Sequence, residues 1–271
     1  MTNLSLMHLP QRALSRSTCA LLVTGATLLS ACGSDTSTSA PTTTPGVSGA
    51  VVVFAASSLT EAFNEIGSAF HAANPNATVM FSFGGSNDLV TQIGQGAPAD
   101  VFASADDSNM KKVTDAGEAV GAPVSVAKNI FEIIVEKGNP KGIATVADLA
   151  KPGLTVVLCA ATVPCGKGAA KILDNAKVTL APKSFEDKAK GVVTKVTAGE
   201  ADAGIVFATD VKAAGGKAAG VEIPADINAV SNYPLVVTKE AKNAAAAQAF
   251  ILFVAGPQGQ AILASHGFLK P

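Results

Sequence analysis

The chain has 271 residues, a formal net charge of −1 and 15% charged residues, so it is long enough to bury a substantial core. Its Lys and Arg residues are scattered and form no basic stripe, which argues against a nucleic acid partner. Trp is absent and Tyr233 is the single tyrosine, so the side chains that stack best on bases or sugars are poorly supplied.

The first 31 residues have the pattern of an export signal. Basic residues are followed by an apolar stretch, Cys19 to Leu29, that is too short to span a bilayer. The next residues, Ala31-Cys32-Gly33, resemble a bacterial lipoprotein signal, in which the Cys is lipidated and becomes the new N-terminus. For residues 32–49 we therefore predict a lipidated Cys32 and a flexible tether, since this stretch is rich in Ser, Thr, Pro and Gly. We expect an extracytoplasmic protein anchored to the outer face of the cytoplasmic membrane; the alternative is an ordinary signal peptide with an incidental Cys.

A buried strand that leads into a helix opens the predicted fold. Val51 to Phe54 is a short apolar run, and apolar residues then recur three or four apart from Leu59 to Phe70. Ser58 with Glu61 predicts an N-cap with a capping box. Hydroxyls and free backbone N–H groups at such a helix start favour anion binding. The alternative is that Ser58 only caps its helix.

Strands and helices continue to alternate along the chain. Strands are predicted at 78–83, 100–105, 124–135, 154–158, 203–207, 221–224 and 235–237, and helices begin near 88, 145, 166, 184, 243 and 259. This alternation predicts an α/β fold with a largely parallel sheet. We expect the run at 124–135 to cross between two lobes, one formed by residues 50–127 and 235–271 and the other by residues 128–234.

Two cysteines, Cys159 and Cys165, remain in the mature chain. A pair a few residues apart in an oxidising compartment predicts a small-loop disulfide. A reactive thiol is the alternative, but no histidine lies near it in the sequence. A zinc site would need more ligands than this pair offers.

The sequence contains no phosphate-binding loop, dinucleotide glycine motif, zinc-protease helix or G-x-S-x-G motif. A serine hydrolase that uses Ser58 or Ser86 stays open, because catalytic triads assemble in space. However, neither His71 nor His266 has an obvious carboxylate partner in the sequence. We expect no enzymatic activity and no cofactor.

Several segments carry a family resemblance, and they follow one another in order over nearly the whole mature chain. They are Phe54–Thr60, Ser82–Ser86, Gly96–Phe102 with its G-A-P-A-D sequence, Gly204–Phe207 followed by Asp210, Tyr233-Pro234 and Gly256–Gln258. Each is weak alone, but together they resemble the molybdate-binding family of solute-binding proteins that serve ABC importers. The resemblance implies a type II periplasmic-binding-protein fold. Each of its two lobes would be a mostly parallel sheet flanked by helices, with the ligand in the cleft between them.

The resemblance also implies which residues bind the oxyanion, all of them through neutral donors. They are Ser58, Ser86, Cys165, Val206 and Tyr233. The serines would use hydroxyl and backbone N–H groups, Cys165 and Val206 their backbone N–H groups, and Tyr233 its hydroxyl. The chain departs from the family at Cys165, where Ala is frequent, and at Phe207, where the family has Tyr. Taken singly, each residue has another interpretation: a helix cap, a structural Cys, a core Val or a packed Tyr.

Neutral donors favour a ligand that is fully ionised at neutral pH, which fits molybdate, tungstate and sulfate better than phosphate. Glu61, close to the expected anion, is an objection unless it folds back into the capping box. We expect a monomer that captures molybdate and delivers it to the transmembrane subunits of an ABC permease. Molybdenum would be present only within the bound oxyanion. The alternatives are a sulfate or iron binder, the secreted hydrolase and an adhesion lipoprotein.

Overall fold

The computed structural model describes residues 46–271, so the predicted signal peptide, Cys32 and the tether as far as residue 45 lie outside the described residues. The strands of this part of the chain are β1 (Gly49–Ala56), β2 (Ala77–Gly84), β3 (Val101–Ala103), β4 (Ala119–Glu136), β5 (Val156–Cys159), β6 (Ser184–Glu186), β7 (Ala203–Phe207), β8 (Ala218–Glu222) and β9 (Val230–Thr238). Its helices are α1 (Thr60–Ala73), α2 (Ser86–Gly94), α3 (Asp107–Asp115), α4 (Pro164–Asn175), α5 (Ala189–Thr197), α6 (Ala208–Ala214), α7 (Ala244–Ala255) and α8 (Pro257–Ser265).

The long strand β4 links two sheets. Its residues 119–130 pair with β9, whereas residues 131–136 pair with β7 on one edge and β8 on the other. We call β1, β2, β3, β9 and residues 119–130 of β4 the first sheet, and β5 to β8 with residues 131–136 of β4 the second sheet. The strand order along the whole path is β2-β1-β3-β9-β4-β7-β5-β6. The apolar run at 124–135 thus continues from one sheet into the other.

Each sheet is mixed, with a parallel part. β1 runs parallel to β2 and β3, and β5 runs parallel to β6 and β7. Strand β9 is antiparallel to both β3 and β4, and β4 is antiparallel to β7 and β8. The parallel strands matter for function because their carboxyl ends lead into helices, and ligands of α/β proteins bind at these ends.

The core of the first sheet is built on aromatic contacts between helices. Helix α1 buries Phe63 and Phe70, and both rings meet Phe250 of α7 edge-on at centroid distances of 6.0 and 5.4 Å. Full burial of such a side chain stabilises a fold by about 1.5–3 kcal/mol. This packing holds α1, and with it the turn after β1, in a fixed position.

One predicted helix is wrong in its first part. Residues 184–186 form strand β6 beside β5, and the helix α5 begins only at Ala189, after Lys188 in an extended conformation. Pairing with β5, a tertiary interaction, outweighs the local helical pattern. Strand β9 also begins earlier than predicted, so that Tyr233 lies inside it.

No single helix among residues 46–271 has both the length and the hydropathy of a membrane span. Helices α7 and α8 reach that length and hydropathy only as a pair bent by 59°.

Candidate functional site

Ser58 lies in a turn between β1 and α1. Residues Ser57–Leu59 form one 3₁₀ turn, and α1 starts at Thr60 with Leu59 as its N-cap and without a side-chain cap. The predicted capping box is therefore wrong. Glu61 instead binds Lys190 Nζ, at 2.8 and 2.9 Å, and the Ser58 hydroxyl lies 3.1 Å from the Tyr233 hydroxyl. Ser58 is thus free of the capping role that would have competed with ligand binding.

Ser86 is the first residue of α2, directly after the Gly84-Gly85 turn that ends β2. Its Oγ accepts a hydrogen bond from the backbone N–H of Ala105 at 3.1 Å, and the residue is fully buried. A Cβ atom at Gly85 would lie 2.5 Å from the backbone oxygen of Asp187. Glycine therefore lets this turn approach the segment before α5 closely.

Cys159 and Cys165 form the predicted disulfide, with an S–S distance of 2.02 Å. Cys165 is the second residue of α4, whose first intrahelical bond runs from Lys167 N–H to the oxygen of Val163. Its N–H therefore has no partner within the helix, as is usual in a first helical turn. A Cβ atom at Gly166 would collide with the backbone oxygen of Ala160, so the loop packs tightly on the helix start.

Strand β7 ends at Phe207, where α6 begins. The Phe207 ring packs against Phe131 at 4.6 Å and against Tyr233 at 5.7 Å between centroids. Val206 precedes it and is fully buried. The Phe that replaces the family's Tyr thus contributes packing at this point.

Six segments line one small cavity, and each lies at or just after the carboxyl end of a strand: β1, β2, β3, β5, β6 or β7. Its lining residues are Ala56, Ser57, Ser58, Gly84, Gly85, Ser86, Ala105, Val163, Pro164, Cys165, Lys188, Ala189 and Phe207. The first seven of these residues, Ala56 to Ala105, lie at or after the ends of strands of the first sheet. The other six, Val163 to Phe207, lie at or after the ends of strands of the second sheet. The cavity is small, with a volume of about 10 Å³, so it suits one compact group.

The cavity brings together three of the five residues that the sequence predicts. Ser58, Ser86 and Cys165 line it directly. Val206 and Tyr233 do not line it: Val206 lies next to the lining residue Phe207, and Tyr233 lies behind Ser58, fully buried. Burial raises the pKa of the Tyr233 hydroxyl, so this group keeps its proton.

Sequence reasoning missed Lys188 and Ala189. They line the cavity because α5 starts there, and the prediction of a continuous helix over 184–197 had hidden this start. The polar-apolar-polar order of Ser184, Phe185 and Glu186, typical of a strand, was the available signal. Lys188 is the one ionisable side chain among the described lining residues, and its Nζ lies 3.7 Å from Asp187.

Two ion pairs join the segments that face each other across the cavity. Lys167 of α4 binds Asp106 at 2.8 Å, and Lys190 of α5 binds Glu61 of α1 at 2.8 Å. Each lysine lies one or two residues from a lining residue, Cys165 or Ala189. Each of these two lysines, which lie in helices after strands of the second sheet, thus forms an ion pair with a carboxylate that follows a strand of the first sheet. Within residues 46–271, no group of three His, Cys, Asp or Glu side chains is placed to hold a metal ion.

A family model described as bacterial extracellular solute-binding protein matches residues 51–269. The chain belongs to this family. Among curated relatives, this solute-binding protein is 42% identical over 252 residues to the molybdate-binding protein ModA of Mycobacterium tuberculosis, covering 93% of this chain and 95% of that one. The resemblance to molybdate-binding proteins inferred from the sequence motifs is therefore confirmed.

Solved structures show the fold. The periplasmic molybdate-binding protein of Azotobacter vinelandii superposes with a TM-score of 0.71 at 22% identity, over 82% of this chain and 99% of that one. The sulfate-binding protein SubI of Mycobacterium tuberculosis superposes with a TM-score of 0.70 at 21% identity, over 82% and 86% of the two chains. The predicted type II periplasmic-binding-protein fold is confirmed.

Asp210 is the buried carboxylate closest in sequence to the site of this solute-binding protein. It lies in α6, three residues after Phe207, and its side chain is completely inaccessible to solvent. Lys190 Nζ is 3.5 Å away, and neither carboxylate oxygen accepts a hydrogen bond from any described residue. Burial raises the pKa of Asp210 to about 6; Lys190 opposes this increase, and the charge of Glu61 adds to it.

Proposed function

We propose that this solute-binding protein captures molybdate, and tungstate as an anion of the same shape, in the cavity between Ser58, Ser86 and Cys165. One observation carries the proposal: two buried serine hydroxyls and the starts of α2, α4 and α5 meet at a single small cavity. Unpaired N–H groups and the helix dipoles favour a negative charge there. The relative that is 42% identical over 252 residues is itself a molybdate-binding protein, which supports this choice of ligand.

The lining favours an anion without a proton. None of the described lining residues is Asp or Glu, so the cavity has no carboxylate to accept a proton from a ligand. Molybdate, tungstate and sulfate are fully ionised at neutral pH, whereas phosphate is partly protonated. We propose that the size of the closed cavity then separates molybdate from sulfate.

We propose that the two sheets belong to two lobes, residues 50–127 with 235–271 and residues 128–234, that close around the anion. The ion pairs Lys167–Asp106 and Lys190–Glu61 and the close approach of Gly85 to Asp187 support a closed arrangement. Closure excludes water, and hydrogen bonds to a charged ligand are strong in such surroundings. Strands β4 and β9, which pair with each other in the first sheet up to the point where β4 continues into the second, would carry the hinge near 127–130 and 233–235.

The remaining parts of the proposal concern location and partners. We propose that Cys32 carries a lipid that holds the protein at the outer face of the cytoplasmic membrane. From there the protein, as a monomer without a cofactor, would pass the unchanged anion to an ABC permease. Val206 and Tyr233 stay in the proposed site, Val206 through its backbone N–H and Tyr233 through its hydroxyl.

A serine hydrolase has weaker support. His266 does have a carboxylate partner, Glu65 at 2.8 Å, contrary to the expectation from the sequence. However, the hydrogen bond of the Ser58 hydroxyl goes to Tyr233, and that of Ser86 to the Ala105 N–H. His71 Nδ1 is within 2.6 Å of the Ala77 backbone oxygen. Among residues 46–271, neither cavity serine has a histidine as its hydrogen-bond partner.

Calorimetric titration of the purified protein with molybdate and then with sulfate tests the proposal. We expect tight one-to-one binding of molybdate and little heat from sulfate. Tight sulfate binding would keep the site but change the ligand. The absence of binding by either anion would contradict the proposed function.

A further inference from the structure

Tyr233 approaches the cavity from one side, so small changes in its position decide whether it can serve the bound anion. Its hydroxyl lies 3.1 Å from the hydroxyl of Ser58, which lines the cavity, whereas Tyr233 itself does not. Hydrogen bonds weaken steeply beyond their normal length, so a displacement of about 1 Å is enough to lose one. The proposed role of the Tyr233 hydroxyl therefore requires that its ring be held in place.

Two aromatic rings hold the Tyr233 ring between them. Phe268 meets it edge-on at a centroid distance of 5.2 Å and an interplanar angle of 79°, and Phe207 meets it at 5.7 Å and 68°. Such edge-to-face contacts are a favoured geometry of aromatic side chains. Phe207 ends strand β7 of the second sheet, whereas Phe268 belongs to the C-terminal segment that follows α8. The tyrosine ring is thus fixed from two separate parts of the fold.

The C-terminal segment that carries Phe268 is itself fixed on both sides. Before it, Gly267 has a φ of +95°, which favours glycine, and the Phe268 N–H donates to the Leu263 oxygen of α8 at 3.0 Å. After it, Leu269 and Lys128 of β4 exchange two backbone hydrogen bonds of 2.9 Å. Phe268 lies between these two points and is only 5% exposed.

The contact with Lys128 places this segment at the proposed hinge. Lys128 follows Ala127, which pairs with Tyr233 of β9. Both backbone groups of Lys128 are used on Leu269, so the C-terminal segment lies along the edge of β4 that faces away from β9. The Phe268 ring therefore connects Tyr233 to a segment that is anchored independently of β9.

We propose that Phe268 is a positioning residue that supports molybdate binding by holding the Tyr233 hydroxyl in place. This inference rests on the proposed function, in which that hydroxyl donates to the anion. Phe268 does not line the ligand cavity; it lines a neighbouring cavity of about 220 Å³. Its effect on affinity is therefore transmitted by the tyrosine ring.

The composition of the chain makes the state of Tyr233 measurable. The chain contains one tyrosine and no tryptophan, so the tyrosine band of the near-ultraviolet circular dichroism spectrum reports Tyr233 alone. A ring held in one orientation gives a strong band, and a loosened ring gives a weak one. The test variant Phe268→Leu removes the ring and keeps a large apolar side chain. Phe253→Leu is the matched control, because Phe253 makes a comparable edge-on contact with Phe70 at 5.4 Å.

We expect Phe268→Leu to weaken the tyrosine band and to lower the molybdate affinity, measured by calorimetry, about three- to tenfold. Tyr233→Phe should lower the affinity more, because it removes the hydroxyl that Phe268→Leu only displaces. In a Tyr233→Phe background, Phe268→Leu should still lower the thermal stability but should no longer lower the affinity. Phe253→Leu should leave both the tyrosine band and the affinity unchanged.

A second pair of variants loosens the C-terminal segment without changing an aromatic ring, and it decides the matter if Phe268→Leu does not fold. Leu269→Pro removes the N–H that donates to the Lys128 oxygen. Leu269→Ala keeps that N–H and shortens a side chain that is 47% exposed. We expect the Pro variant to show a weaker tyrosine band and a lower affinity, and the Ala variant to behave like the parent.

Several results would overturn the inference. They are parent affinity in Phe268→Leu or in Tyr233→Phe, an affinity loss from Phe268→Leu that persists without the tyrosine hydroxyl, and equal affinities of the two Leu269 variants. Each of these results leaves molybdate binding by the parent intact. A parent protein that binds no molybdate would overturn the proposed function instead.

Discussion

Lys190 Nζ lies 2.8 and 2.9 Å from the two carboxylate oxygens of Glu61. This ion pair joins the start of α5, which follows a strand of the second sheet, to the start of α1, which follows a strand of the first sheet. Both residues are near the cavity, but neither lines it. A partly exposed ion pair contributes about 0.2–1 kcal/mol. The pair therefore stabilises the contact between the two sheets without lining the cavity.

Glu61→Gln tests this role because two explanations predict opposite signs. Simple electrostatics predicts tighter binding, since a negative charge near the anion is removed. Loss of the contact between the sheets predicts weaker binding, by about two- to fivefold, chiefly through faster dissociation. We expect weaker binding, measured by calorimetry and by stopped-flow release of molybdate. Asp115→Asn, which breaks an exposed pair with Lys111 inside α3, is the control and should bind normally.

Ser86→Ala should weaken molybdate binding by about 1.5–3 kcal/mol, roughly ten- to a hundredfold. The reason is that a hydrogen bond to a charged group is lost from a buried position. Titration calorimetry measures the change, and thermal unfolding shows whether the fold is intact. Ser68→Ala is the matched control, because the Ser68 hydroxyl bonds to the Asn64 backbone oxygen on the exposed side of α1. Normal affinity in Ser86→Ala would exclude Ser86 from the site.

Replacing both Cys159 and Cys165 by Ala should lower the free energy of unfolding by about 2–3 kcal/mol, because a short closed loop is released in the unfolded chain. Molybdate affinity should fall less than about tenfold, since the proposed donor at position 165 is a backbone N–H. Urea unfolding measures the first effect and calorimetry the second. The parent under a reducing agent should behave like the variant. A complete loss of binding in a folded variant would show that the bridge itself shapes the site.

Asp210→Asn should change how stability depends on pH. Burial raises the pKa of Asp210 to about 6 from an ordinary value of 3.8. The folded protein thus holds this proton more tightly than the unfolded chain does. The contribution of Asp210 to the free energy of unfolding is therefore complete below about pH 4 and is lost as the pH rises to about 6. The loss is on the order of 3 kcal/mol.

Because Asn does not titrate, the variant should gain stability relative to the parent as the pH rises from 4 to 6.5. Urea unfolding at a series of pH values measures this difference. Ser68→Ala, which changes a neutral side chain on the exposed side of α1, is the control and should differ from the parent by a constant amount. A constant difference for Asp210→Asn as well would show that Asp210 does not titrate in this range.

Local patterns predicted many elements well. The predicted strand at 203–207 coincides with β7, because an apolar run between turn residues has few other conformations available. The helix predicted from Asn243 begins at Ala244, with the Asn243 side chain accepting from the Ala246 N–H as an N-cap. Prediction failed at Ser184–Glu186, where the partner strand β5 decides the conformation.

The candidate site was likewise predictable in part from local motifs and in part not. Ser58, Ser86 and Cys165 were predicted from motifs at strand ends, and all three line the cavity. The motifs could not show that Ser58 would leave its helix uncapped or that Tyr233 would lie behind it. Those facts depend on which side chains approach from β9 and α5, far away in the sequence.

The sequence by itself determined the α/β class, the order of most elements, the family and the residues at the strand ends, because each depends on local periodicity or on short motifs. Only the tertiary structure decided that α5 starts at the cavity, that Lys167 and Lys190 pair with carboxylates of the opposite sheet, and that the Tyr233 hydroxyl lies 3.1 Å from the Ser58 hydroxyl. The physical reason is that these contacts join residues 61 to 175 positions apart, and their geometry exists only when both sheets are packed together.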